Sequence, residues 1–171
     1  VSAINQAGSA IAQNLKTQVK TVEELFDEAK KAVERDDFVH AEQIYRMLIQ
    51  NDKHPLAYSI VFSYSYLLLR NARYEEAIDM LKRGITLNPN VPEFYTNIAY
   101  ALSRMHKHEE SIPYYKKAIE IKPDHYKSLF DLGLVYLRLG DFAQGWKLHE
   151  YRNYRPAPEN FSDRYLQGKL P

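Results

Sequence analysis

The sequence predicts an all-α fold built of four helix-turn-helix repeats. Across residues 129–142, Leu129, Leu132, Gly133, Tyr136 and Leu137 recur three and four apart, the spacing of one helix face. Gly140-Asp141 then interrupts the pattern and a second helical run opens at Phe142. The arrangement returns every 34 residues: Ala99 and Ser65 stand one and two periods before Gly133. Leu102 and Leu68 precede Tyr136 in the same way, and His108 and Tyr74 precede Phe142. A small residue, a large apolar one and a ring at a fixed long period mark one repeated supersecondary unit.

Each element has a local reason. Thr21 caps the first helix, and Glu24, three residues on, completes a capping box. That helix runs to about Arg35, where Asp36-Asp37 makes the turn. Its partner turns Phe38, Ala41, Tyr45, Leu48 and Ile49 inward. Pro55 is expected in the first turn of the third helix, where a missing N–H costs nothing. This helix, to about Arg70, carries four rings: Tyr58, Phe62, Tyr64 and Tyr66. Tyr74–Leu87 follows, closed by Asn88-Pro89-Asn90. Pro92–Arg104 and His108–Ile121 form the third repeat, closed by Lys122-Pro123-Asp124. Pro113 falls in the second turn of the latter helix, at the expected cost of one hydrogen bond and a slight bend. The fourth repeat should end near Asn153, since Pro156 and Pro158 stop any helix. Ala41, Ala77 and Ser111 are small enough to let paired helices approach, while Tyr45, Leu81 and Tyr115 fill the space beside them.

Composition sets the bounds. A chain of 171 residues is one domain by length, and a compact one buries roughly 70% of its unfolded surface. A net charge of +1 supplies no field that would draw it to nucleic acid. With no cysteine there is no disulfide, thiolate zinc site or cysteine nucleophile, which fits a reducing, cytoplasmic setting. Residues 1–20 lack the basic start and apolar run of a signal peptide. Ile4, Ala7, Ile11, Leu15 and Val19 instead recur at helical spacing, as expected of a helix that caps the first repeat, a partly ordered tail, or a docking helix. The most apolar run, residues 60–69, is far short of the ~20 residues that span a bilayer. Val1 in place of Met suggests a processed chain or a piece of a longer one.

The repeated residues resemble the tetratricopeptide repeat. That family places a small residue at its eighth position, matched by Ala29, Ser65, Ala99 and Gly133. Its seventeenth, usually aromatic, reads Phe38, Tyr74, His108 and Phe142, and its twentieth, small again, reads Ala41, Ala77, Ser111 and Gly145. Pro89 and Pro123 match its thirty-second. The resemblance implies a right-handed α-solenoid with repeats at about 22–55, 58–91, 92–125 and 126–157, the first fitting only with a two-residue insertion near Lys53-His54. Residues 158–171 would then be a non-helical tail, or the way into a further domain.

Nothing in the sequence carries catalysis. Six scattered glycines build no phosphate-cradling loop, and there is no GxSxG. Glu23-Glu24, Glu75-Glu76 and Glu109-Glu110 fall at helix starts, where they complement the helix dipole. His106 and His108 sit in a turn and alone make no metal site, so neither metal nor cofactor is expected. His149 stands where other repeats have a ring and reads as a packed residue.

The resemblance does imply a concave binding surface for a protein or peptide segment. Its lining would include Phe62, Ser63, Tyr66, Leu69 and Arg70, then Asn97, Tyr100 and Arg104, then Lys127, Phe130, Asp131, Leu134 and Arg138. Arg70, Arg104 and Arg138 are spaced by 34 and form a ladder that serves either the helix dipoles or an acidic, extended ligand. The carboxylate clamp of chaperone-binding members does not fit: only Asn97 and Lys127 match, while Phe62, Tyr66 and Asp131 replace its other donors. A shorter run, residues 145–152 (GWKLHEYR), is similar to one in bacterial proteins that join such repeats to a glycosyltransferase-like domain, with His149 and Tyr151 departing from it. On that resemblance the chain would be the non-catalytic arm of a larger enzyme. The last helix pair leaves apolar side chains uncovered, so the tail is expected to fold back over the last helix, or that helix to face a following domain or a second copy.

Overall fold

The computed structural model describes residues 20–151, and among these every regular element is helical. The helices are α1 (Val22–Glu34), α2 (Phe38–Leu48), α3 (Ala57–Arg70), α4 (Tyr74–Leu87), α5 (Pro92–Arg104), α6 (His108–Ile121), α7 (Tyr126–Arg138) and α8 (Phe142–His149). The N-terminal helix expected at 1–20 lies outside the described residues but for Lys20. So do Arg152, Asn153, Pro156, Pro158 and the 158–171 tail. The described helices form two compact units, divided inside α3 between Leu67 and Leu68.

The same turn joins the two helices of every repeat, 36 residues apart from the first to the second and 34 apart thereafter. Asp36, Ala72, His106 and Gly140 all adopt positive φ, at 59°, 56°, 63° and 83°. Around each, the two-bond closure of a Schellman motif forms. The Asp37, Arg73, Lys107 and Asp141 amides donate to Ala32, Leu68, Leu102 and Tyr136, while Asp36, Ala72, His106 and Gly140 donate to Val33, Leu69, Ser103 and Leu137. The backbone conformation repeats even though only the last turn has the glycine that adopts it without strain.

In the first unit, Thr21 and Glu24 form the expected reciprocal capping box, and Asp37 caps α2 through the His40 amide. Ala29 and Ala41 are fully buried, so α1 and α2 approach closely. Tyr45, 1% exposed, stacks on Tyr64 with centroids 5.8 Å apart and meets Phe26 edge to face. Pro55 lies just ahead of α3 rather than in its first turn. The Leu56 carbonyl accepts the first helical bond, from Ile60, and a turn closed by the Ala57 amide on the His54 carbonyl precedes it.

In the second unit α4 packs on α5, α5 on α6, α6 on α7 and α7 on α8, while α5 also touches α7. The small positions Ala77, Ser111 and Gly145 are all buried, as the repeat register requires. Phe94 is fully buried against Gly84, where even a Cβ would come within 2.4 Å of the ring. Burying one such ring contributes about 1.5–3 kcal/mol. Ala99, Tyr115, Leu132, Val135 and Tyr136 form a shared core across α5, α6 and α7. Pro113 stays within α6 with its ring exposed, so the helix tolerates it on its outer side.

Candidate functional site

The predicted lining residues divide between the two units. Phe62 and Tyr66 belong to the first, Phe62 half-buried and Tyr66 exposed. Arg70, Asn97, Tyr100, Arg104, Lys127, Phe130 and Arg138 belong to the second. Arg70 is exposed in the last turn of α3, and Asn97 is half-buried on α5.

Three of the second set come together. Tyr100, Arg104 and Arg138 line one cleft of about 380 Å³ between α5 and α7, with Asp131, Leu134 and Val135 on the α7 side. Ser103, His106 and Tyr115 complete it. The i, i+3 and i+4 spacing of α5 brings Tyr100, Ser103 and Arg104 to one side of the helix. The one-period offset puts Arg138 at the matching place on α7. Tyr115 reaches this floor from α6, and burial pushes its phenol far above the usual range, with the Asp131 carboxylate acting in the same direction. The Ser103 hydroxyl eases that shift slightly, yet its Oγ is buried without the geometry of a hydrogen bond.

Charges in the cleft are unevenly matched. Lys127 Nζ pairs with Asp131 at 3.0 Å and lies 5.5 Å from the centre of the Tyr100 ring. Arg104 Nε donates to the Tyr74 hydroxyl at 3.3 Å, and that phenol holds the guanidinium pKa above its ordinary value. Phe130 turns elsewhere: its ring lies 5.3 Å from His149 on α8, which also meets Trp146 edge to face. Within the described part of the 145–152 run, Gly145, Leu148, His149 and Tyr151 pack against α7, while Trp146, at 58%, Lys147 and Glu150 are exposed.

Sequence reasoning missed Ser103, His106, Tyr115 and Val135. Ser103 holds the same repeat position as Leu69 and Leu137, so its place was readable once the register was known. Tyr115 reads as core, because its position packs the helix pair; only the structure shows its far end reaching the cleft. A buried polar chain was missed as well. Thr96 and Ser128, 1% and 0% exposed, lie 2.6 Å apart, and His125 Nδ1 is 2.8 Å from Ser128. Thr96 donates to the Pro92 carbonyl at 2.9 Å. One assignment satisfies every contact: the His125 Nδ1–H donates to Ser128, Ser128 to Thr96, and Thr96 to Pro92. His125 Nε2 also lies 3.7 Å from a Glu93 carboxylate oxygen, yet the serine of this Ser, His and Glu set is sealed from solvent.

Three profiles, each described as tetratricopeptide repeat, match residues 26–92, 92–125 and 114–147. The chain belongs to the tetratricopeptide repeat family. The tetratricopeptide repeat-containing protein trd-1 of Caenorhabditis elegans is 29% identical over 105 residues, 61% of this chain but only 14% of that protein. A crystal structure of a tetratricopeptide repeat protein from Parabacteroides merdae is similar at TM-score 0.69 and 19% identity, over 76% of this chain and 51% of that one. MamA is similar at TM-score 0.69 and 23% identity, over 82% and 81%. MamA of Desulfovibrio magneticus is similar at 0.67 and 18%, over 80% and 78%. The fold is thus the all-α helical-repeat solenoid class, and its repeats make a protein-interaction scaffold. Among the described residues no helix is long and apolar enough to cross a membrane, and no group of His, Asp or Glu is gathered to hold a metal ion.

Proposed function

We propose that the chain binds an extended peptide or protein segment along the α5–α7 side of its second unit. The observation that carries this reading is the cleft itself. It offers an exposed ring, Tyr100, and apolar Leu134 and Val135 beside charged donors, the mixture that anchors a peptide side chain and orients its backbone. The remaining expected residues, Phe62, Tyr66, Arg70, Asn97, Lys127 and Phe130, are candidates for further contacts. Selection of a displayed random-peptide library on the full chain tests it. Enriched peptides should bind Tyr100→Ala more weakly by over ~1 kcal/mol while its melting curve is retained. Enriched peptides indifferent to Tyr100 would refute the reading.

A second surface serves assembly. Phe142 and Trp146, one helical turn apart on α8, are 61% and 58% exposed. Trp146 holds the repeat position of Ile78, which is buried, and Ile112, which packs on the core of the next repeat. The face of α8 that earlier repeats cover is therefore open to a second copy or a following domain. Trp146 is the sole tryptophan, so a blue shift of its emission that grows with protein concentration would favour the second copy. Emission constant with concentration would exclude it.

A further inference from the structure

Within the second unit, the cleft between α5 and α7 holds more positive charge than its surroundings use. Asp131 is answered by Lys127 at 3.0 Å, so that pair cancels. Arg104 bonds only a neutral phenol, Tyr74. No carboxylate pairs with Arg138 among the described residues. Both arginines stand in the last turns of their helices, where each helix end supplies roughly half a negative charge. Half of each guanidinium charge is thus unspent, and the cleft carries a surplus of about one positive charge. His106 and Tyr115 face the same space, and neither is an anion: burial holds the Tyr115 phenol neutral. Ser103 Oγ is buried at the same wall beside the Tyr115 phenol, and it adds no charge.

We propose that this cleft seats the carboxylate of an acidic side chain in the bound segment, held between the Arg104 and Arg138 guanidiniums. The proposal rests on the groove reading above and names its ligand chemistry. A planar guanidinium fork suits a carboxylate, and charge-assisted bonds of this kind are about twice as strong as neutral ones. Tyr100 supplies the rim against which the stem of that side chain packs. The site differs in place from a clamp for a chain terminus, since its donors come from the C-terminal turns of α5 and α7.

Fluorescence anisotropy on the full chain tests it, with a labelled glutamate decapeptide and its glutamine counterpart as probes. The glutamate probe should bind at least about tenfold tighter than the glutamine probe at about 0.1 M salt, with the gap closing near 1 M. Arg104→Gln and Arg138→Gln should each weaken the glutamate probe about tenfold and the glutamine probe several-fold less. Both side chains are exposed, so the variants should melt as the parent does. Equal binding of the two probes, failure of the glutamate probe to bind, or glutamate affinity indifferent to both arginines would each overturn the acidic seat. The display selection separates the two ideas. Tyr100-dependent peptides without acidic enrichment overturn the acidic seat alone. Arginine-dependent glutamate binding that ignores Tyr100→Ala upholds the two-arginine seat for a carboxylate but overturns both the Tyr100 rim and the groove reading.

Discussion

Gly133→Leu tests the repeat register most directly. Gly133 is buried in α7, where a Cβ would meet the His149 backbone nitrogen and Leu148 Cβ at 3.0 Å and the Gly145 carbonyl oxygen at 3.1 Å. Carbon contacts settle at about 3.5–4.0 Å, so α8 would have to retreat by roughly half an ångström for the Cβ alone. For Ala at this position the strain and the roughly 1 kcal/mol gain in helix propensity nearly cancel, so Gly133→Ala should be close to neutral. Leu adds a branched end with no space to enter, and overpacking of this kind costs about 1–3 kcal/mol. After the propensity gain, a net loss of up to about 2 kcal/mol remains, or a fall of up to roughly 8 °C in Tm for a chain of this size. Far-UV circular dichroism gives the melting curve. Trp146, the sole tryptophan, sits on the helix that must move and reports the displacement through its emission. A Gly133→Leu protein with the parent's melting curve and emission would show that α7 and α8 do not meet at this register.

Three further outcomes are expected. Ala72 at φ 56° is strained and exposed, so Ala72→Gly should raise stability by up to about 1 kcal/mol, the difference between the left-handed cost for Ala and the entropy cost of Gly; a lower Tm would contradict the shared turn. Lys107 precedes α6 without a side-chain cap, unlike Asp37 and Asp141 in the same place, so Lys107→Asn should add about 0.5–1.5 kcal/mol without setting a new carboxylate beside Glu109 and Glu110; an unchanged denaturation midpoint would refute it. Burial lowers the His125 pKa below its ordinary 6.5, with Glu93 opposing, so its contribution is complete above about pH 6.5 and is lost as pH falls through the lowered value. Glu93→Gln removes the opposing charge and should steepen that acid loss in pH-dependent melting, whereas His125→Gln should flatten it.

The helices were legible because their signals are local and repeated. The capping box at Thr21, the apolar spacing of α7 and the small residues at Ala41, Ala77, Ser111 and Gly145 each state a packing requirement in side-chain size or polarity. Turn geometry was legible only where chemistry marks it. Gly140 announces a left-handed residue, but Ala72 and His106 take the same conformation with nothing in their side chains to say so. There the flanking helices and the two amide bonds of the turn impose a backbone that the residue alone would avoid. Pro55 shows the reverse case. Proline suits a first turn, yet the insertion near Lys53-His54 needs a turn of its own, and the helix starts only after it.

The candidate site follows the same division. Tyr100, Arg104 and Arg138 could be placed on one surface because repeat spacing converts sequence distance into a fixed spatial offset. Partnership does not obey the repeat. Lys127 and Phe130 occupy lining positions by register, but Lys127 answers Asp131 on its own helix and Phe130 meets His149 on the next. Thr96 shares the repeat position of Phe130 and is sealed in the interior, because Ser128 and His125 of the following repeat offer it hydrogen bonds. A register position therefore sets where a backbone stands, while the neighbouring side chains decide whether the residue is spent on the core or left for a ligand. In the cleft of the second unit that second decision leaves Arg104 and Arg138 without a carboxylate partner among the described residues.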